Sequence, residues 1–153
     1  MARNWEWVCQ VDEAGAMNSG AVSFPLPEID AVNGPYWAAL RDGKLIFQRC
    51  DACETAWLPP RSECPHCLAP QPGWGTASGR AKLISWVVYH VAFNPAFKHR
   101  LPYTVAVVEL AEGPRLISNI VGIEDPETLH IDQGLHLLIE DEHGVAVPRF
   151  RPE

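Results

Sequence analysis

No apolar run among the 153 residues approaches the length of a bilayer-spanning helix, so no membrane segment is expected. Positive charge is also scarce: 12 Lys and Arg stand against 19 Asp and Glu, giving a net charge of −7 and a pI near 5.3. A duplex nucleic-acid binder needs a cationic face to replace the counterions it displaces, and this balance argues against one. A local basic cluster is still conceivable, because Arg80, Lys82, Lys98 and Arg100 fall close together in the chain. The opening MARNWEWVCQ lacks the apolar core of a signal peptide. There is no Gly-x-Ser-x-Gly elbow, no phosphate-cradling glycine loop and no His-Glu-x-x-His, and no repeat or low-complexity tract. Cys9 has no evident positioned base, which a nucleophile requires. Glu140, Asp141 and Glu142 adjoin a turn and read as a solvated loop rather than as paired acid–base groups. No self-contained catalytic machinery is expected.

What is present is a set of cysteines at metal-binding spacing. Cys50, Cys53, Cys64 and Cys67 form two Cys-x-x-Cys pairs in CDACETAWLPPRSECPHC. Each pair can close a tight turn around one ion, and the short segment between them can only be a small hairpin. Both pairs therefore converge on one point, as a closed tetrahedral zinc site requires. Iron in a rubredoxin-like site is the chief alternative, ahead of disulfide or redox use. The leftover Cys9 suits a reducing compartment, and cytoplasmic location is expected. His66 lies inside the second knuckle, but four thiolates already satisfy the metal. Glu54 and Leu68 stand where such knuckles usually carry glycine.

Fourteen prolines and eleven glycines indicate many turns and short strands. Trp5, Trp7, Cys9 and Val11 suggest a short half-buried strand, followed by a small, polar linking stretch. A helix is expected near 35–42, with Asn33 or Gly34 as cap, Pro35 in the first turn and Gly43 at its end. Tyr36, Trp37 and Leu40 share one apolar face of that helix. KLIFQR then runs as a strand into the first cysteine pair, and TAWLPPR returns toward the second. From Gly79 onward five β-rich segments follow: RAKLISWVVYHVAF, expected to bend or bulge midway, then LPYTVAVVEL, RLISNIVG, GLHLLIEDEHG and VAVPRFRP. The third and fourth are separated by EDPETLH, which can hold a helical turn. That count and rhythm fit an OB-fold barrel, with an SH3-like barrel as the alternative topology. The chain is therefore read as mainly β: an N-terminal extension (1–32), a helix plus rubredoxin-like zinc ribbon (33–75) and a five-stranded OB-fold domain (76–153).

The best ligand-binding candidate is the segment from His90 to Arg100, which joins the first two barrel strands, where OB-folds carry a binding loop. Phe93 and Phe97 offer aromatic surface for an adenine or an acyl chain, and His90, Lys98 and Arg100 can meet phosphates. The same chemistry can stack single-stranded nucleotides. The structural alternative buries both rings in the core and leaves Lys98 and Arg100 solvated.

In order, the motifs LIFQRCDAC, PPRSECPHC, PYTVAVVELAEGPRLISNIVG and the closing PRF resemble a family of zinc-ribbon/OB-fold proteins associated with acyl-CoA metabolism. The resemblance covers roughly residues 35–151. It implies a small accessory subunit in lipid metabolism that binds a thiolase-like enzyme in a hetero-oligomer and helps hold an acyl-CoA thioester. It equally admits a hot-dog-type enoyl-CoA hydratase as the partner.

Overall fold

The computed structural model describes residues 24–153, so the strand suggested by Trp5, Trp7, Cys9 and Val11 lies outside the described residues. One helix, α1 (Gly34–Arg41), precedes eight strands: β1 (Ile46–Arg49), β2 (Ala56–Trp57), β3 (Gly73–Thr76), β4 (Arg80–Tyr89), β5 (Tyr103–Leu110), β6 (Arg115–Ile120), β7 (Gly134–Glu142) and β8 (Val145–Pro152). No helix among the described residues is long and apolar enough to cross a membrane.

The helix falls where its sequence signals place it. Pro35 occupies the first turn, where its missing N–H costs nothing. Asn33 does not cap with its side chain: its amide instead donates to the Glu28 carbonyl and its Oδ1 accepts from the Asp30 N–H, fixing the chain that enters the helix.

The ribbon is a three-stranded antiparallel sheet in the order β2-β1-β3. Strand β3 was not among the expected strands, and it carries two glycines in Gly73-Trp74-Gly75-Thr76. Its pairing explains them. Gly75 lies opposite Phe47, and a Cβ at this position would sit 2.6 Å from the Phe47 ring. The glycine leaves room for the aromatic ring to cover the strand, which no sequence rule for isolated strands would reveal.

Strands β4 to β8 close into a barrel in the order β4-β5-β6-β8-β7. β6 and β8 are parallel and meet at Ile120 opposite Phe150, while every other barrel pairing is antiparallel. This five-stranded Greek-key closure is the OB-fold, not the SH3-like alternative. The long first barrel strand carries the expected irregularity, a register shift between Leu83 and Ser85. The turn between β7 and β8 has His143 and Gly144 both at positive φ (55° and 83°), the mirror-image hairpin turn matching strand twist.

Alternation along β5 sends Thr104, Ala106, Val108 and Leu110 inward, where they are fully enclosed with Leu83, Leu135 and Phe150. Leu40 of α1 and Leu45, just before β1, belong to this same core. The ribbon has only a small cluster of its own, built from Cys50, Trp57 and Cys64.

Candidate metal centre and adjoining surfaces

The two cysteine knuckles repeat one local design. In the first, the Glu54 N–H donates to the Cys50 carbonyl and the Cys50 N–H to the Thr55 carbonyl, both at 2.9 Å. In the second, Leu68 donates to Cys64 (3.0 Å) and Cys64 to Ala69 (2.9 Å), at identical sequence offsets. Glu54 and Leu68 adopt φ of 59° and 60°, so the left-handed geometry survives without glycine. A side chain there carries a steric cost of roughly 1–2 kcal/mol. Leu68 is 71% exposed and contributes little packing in return. Leu68→Gly is therefore expected to stabilise the ribbon by about 1 kcal/mol, measured as a raised midpoint in thermal unfolding.

The knuckles bring all four Sγ atoms within 4.8 Å of one another. Cys50 and Cys67 are 3.5 Å apart, and Cys53 and Cys64 are 3.6 Å apart. A tetrahedral ion with metal–sulfur bonds of about 2.3 Å requires sulfurs roughly 3.8 Å apart, so the set fits one metal. The thiols are unbridged. Cys50 and Cys64 are buried, whereas Cys67 reaches the surface. The Thr55 side chain and N–H favour the Cys53 thiolate and hold its pKa well below the ordinary thiol range. The Ala69 N–H acts in the same direction at Cys67, but the Cys53 and Cys50 sulfurs outweigh it and push that thiol up. Four crowded thiols share protons unequally; a dication relieves the competition by stabilising every thiolate. The exposed His66 is not part of the four-residue set and contributes only its backbone N–H, 3.4 Å from the Cys64 sulfur.

The His90–Arg100 segment splits in two. Phe93 stands 85% exposed beside Tyr89, in a shallow apolar depression with Val87, His90 and Val91. Phe97 turns the other way, within a 3-10 turn (Pro95–Arg100) whose first N–H groups are capped by Asn94. It meets Phe24 edge-on at 5.2 Å, and Arg100 lies over its ring. Lys98 and His99 are exposed. The alternative that buried both rings is thus met by neither in full, and Arg100 is ion-paired rather than solvated.

That ion pair corrects the reading of the acidic tip. Glu140 and Asp141 are exposed, but Glu142 is half-buried between Arg100 and Arg149, pairing with both. Arg149, on β8, was missed altogether. It occupies an outward-facing strand position, which ordinarily signals solvent, yet it is only 9% exposed. Together with Phe24, Trp37, Phe97 and Tyr103, these residues line a cleft of about 430 Å³. A second cleft of about 420 Å³ lies on the other side of Trp37, between Tyr36, Leu58, Pro59, Pro60, Leu116 and Ile117. Burial pushes the Tyr36 hydroxyl up to about 12, keeping it neutral.

The basic cluster is not assembled. Arg80 and Lys82 start β4, whereas Lys98 and Arg100 follow its far end, about 30 Å away along a ten-residue strand. Lys82 is paired with Glu109 (3.0 Å) and Asp132 (3.7 Å). The outer faces of β4 and β6 instead expose apolar side chains, with Ile117 at 74% and Val87 at 55%.

Residues 37–73 match the family model for the rubredoxin-like zinc ribbon domain of ChsH2, and residues 74–139 match its C-terminal OB-fold domain. The "Probable enoyl-CoA hydratase alpha subunit" of Thermomonospora curvata is 39% identical over 131 residues, covering 84% of this chain. The chain spans only 40% of that relative's length. A "DUF35 domain-containing scaffold protein" of Methanothermobacter thermautotrophicus is 32% identical over 113 residues, 70% of this chain and 84% of the relative. Among solved structures, the "Ltp2-ChsH2(DUF35) aldolase" gives a TM-score of 0.73 at 37% identity, covering 83% of this chain and 98% of the matched one. With both ribbon and barrel matched, and an archaeal scaffold protein covered over most of its length, the chain belongs to the DUF35 family of zinc-ribbon/OB-fold proteins.

Proposed function

We propose that this protein is a non-catalytic accessory subunit that binds a thiolase-superfamily enzyme and helps hold its acyl-CoA substrate. The observation that carries this reading is the apolar outer face of β4 and β6 with the adjoining loop. Val87, Val91 and Phe93 are more than half exposed in one shallow depression there, and Ile117 is likewise exposed on β6 beside the second cleft. Large apolar side chains grouped on one face mark a surface that another molecule covers. The matched aldolase, whose name pairs Ltp2 with ChsH2, supports an enzyme as the occupant.

In this reading the four cysteines hold a structural zinc ion, with iron the alternative, and the ribbon (33–75) and barrel (76–153), which follow the extension 1–32 in the sequence, act as one adaptor. His90, Phe93 and Lys98, exposed in the barrel loop, would meet the adenine and phosphates of a CoA thioester at the rim of the docking face. Phe97 and Arg100 support that loop from behind. Free thiols and CoA chemistry both suit the cytoplasm. The Thermomonospora relative's hydratase name favours a second reading, in which the partner is a hot-dog-type enoyl-CoA hydratase and the adaptor role is unchanged.

Ile117→Asp and Phe93→Asp test the docking face, since both positions are exposed and the variants should fold. Each is expected to weaken the complex about 30-fold or more, the scale of a central interface residue. Calorimetric titration of the co-expressed partner checks this. Unchanged affinity in both variants would move the interface elsewhere.

A further inference from the structure

The cleft beside Trp37 carries an electrostatic arrangement that neither docking nor metal binding uses. Glu142 accepts from Arg100 Nη1 and from Arg149 Nη2, so each carboxylate oxygen is engaged by a different guanidinium. Each guanidinium offers five N–H groups, far more than one carboxylate can accept. Arg149 Nε meets no acceptor but is fully enclosed, so the donors left for a ligand are the remaining Nη groups. Two cations face one anion, leaving one positive charge among half-buried side chains that line an open cleft. Glu140 also acts on Arg149, but from an exposed position outside the cleft lining, where solvent screens it. Apart from Asn119, whose amide donates to the Thr104 carbonyl, the remaining walls are aromatic or aliphatic, Phe24, Trp37, Phe97, Tyr103 and three valines among them. A volume of about 430 Å³ with apolar walls and a few convergent polar groups is the form of a small-molecule site.

We propose that this cleft binds a monocarboxylate with an apolar, aromatic-sized body, its carboxylate lying beside Glu142 and accepting from Arg100 and Arg149. One added carboxylate brings the site to two cations and two anions. A phosphate dianion would instead leave it one negative charge in excess, beside Glu142. Burying an uncompensated charge is what partly desolvated sites avoid. The aromatic walls then cover the ligand's body. This inference goes beyond the acyl-CoA reading and does not depend on it, because the docking face can fail its own test while the cleft remains.

The test uses the full chain with its metal bound, and 3-phenylpropionate as the probe. Saturation-transfer NMR and calorimetry compare it with the neutral isostere 3-phenylpropionamide and with inorganic phosphate. A probe of this size is expected to bind in the millimolar range or about tenfold tighter. The amide should bind at least about tenfold more weakly, as loss of a charge-assisted hydrogen bond implies, and phosphate should not compete. Arg149→Met should lose binding; because that buried position also supports the fold, Arg100→Gln, at a more exposed site, provides the second variant with the same expected loss. Equal binding of acid and amide, competition by phosphate, no binding of the acid at millimolar concentration, or full binding by a folded Arg100→Gln protein would each overturn the proposal.

Discussion

Cys64→Ala is expected to unfold the ribbon while the barrel keeps its strands. Cys64 is completely buried and packs with Cys50 and Trp57 in a cluster too small to stabilise three short strands by itself. Structural zinc contributes roughly 10–16 kcal/mol in zinc-finger peptides, more than any other interaction such a ribbon can make. Removing one thiolate opens the tetrahedron and leaves the other three competing for protons. The expected result is loss of one metal ion per chain, with loss of amide-exchange protection in β1, β2 and β3. Protection in β5 and β7 should persist, because their core of Leu110, Leu135 and Val108 includes none of the cysteines. Wild-type protein that is folded but contains neither zinc nor iron would contradict the metal assignment directly.

Phe150→Ala is expected to produce the largest loss within the barrel, about 3–5 kcal/mol. The ring is wholly enclosed, and its position makes the loss more than a cavity. β6 and β8 pair in register only at Ile120 and Phe150; closure is completed by the Val121 N–H to the Phe150 carbonyl (2.8 Å) and the Ser118 hydroxyl to the Pro148 carbonyl (2.7 Å). Few backbone bonds seal this seam, so side-chain packing at residue 150 has to hold it. Denaturant unfolding measures the change, and Ile117→Ala on the outer face should stay within about 0.5 kcal/mol as the control.

Much of this architecture was legible because its determinants are local. Cys-x-x-Cys spacing fixes two turns without any tertiary information, and β-rich runs such as LPYTVAVVEL, bounded by turn signals, mark the barrel strands. Pro35 and Gly43 bracket α1 for equally local reasons. The features that were not legible all depend on what packs over them. Gly73-Trp74-Gly75-Thr76 is a strand because Phe47 covers Gly75, a contact between residues 28 positions apart. Arg149 is a cleft residue because α1 and the chain from Phe24 to Pro27 lie across an outward face that sequence alone assigns to water. Glu142 was read with its acidic neighbours as solvated, whereas two arginines from distant positions enclose it. The loop from His90 to Arg100 was correctly placed between barrel strands, but the division between outward Phe93 and inward Phe97 follows from the 3-10 turn at Pro95.

In the proposed role this ribbon–barrel unit serves an enzyme by docking rather than by catalysis. Its most direct test is to purify the protein from its native host with a tag and measure the mass and composition of what emerges. A hetero-oligomer containing a thiolase-like protein in stoichiometric amount is expected, dispersed to free subunits by Ile117→Asp with the metal retained. A monomer that elutes alone, and whose thermal stability is unmoved by acyl-CoA thioesters, would contradict it.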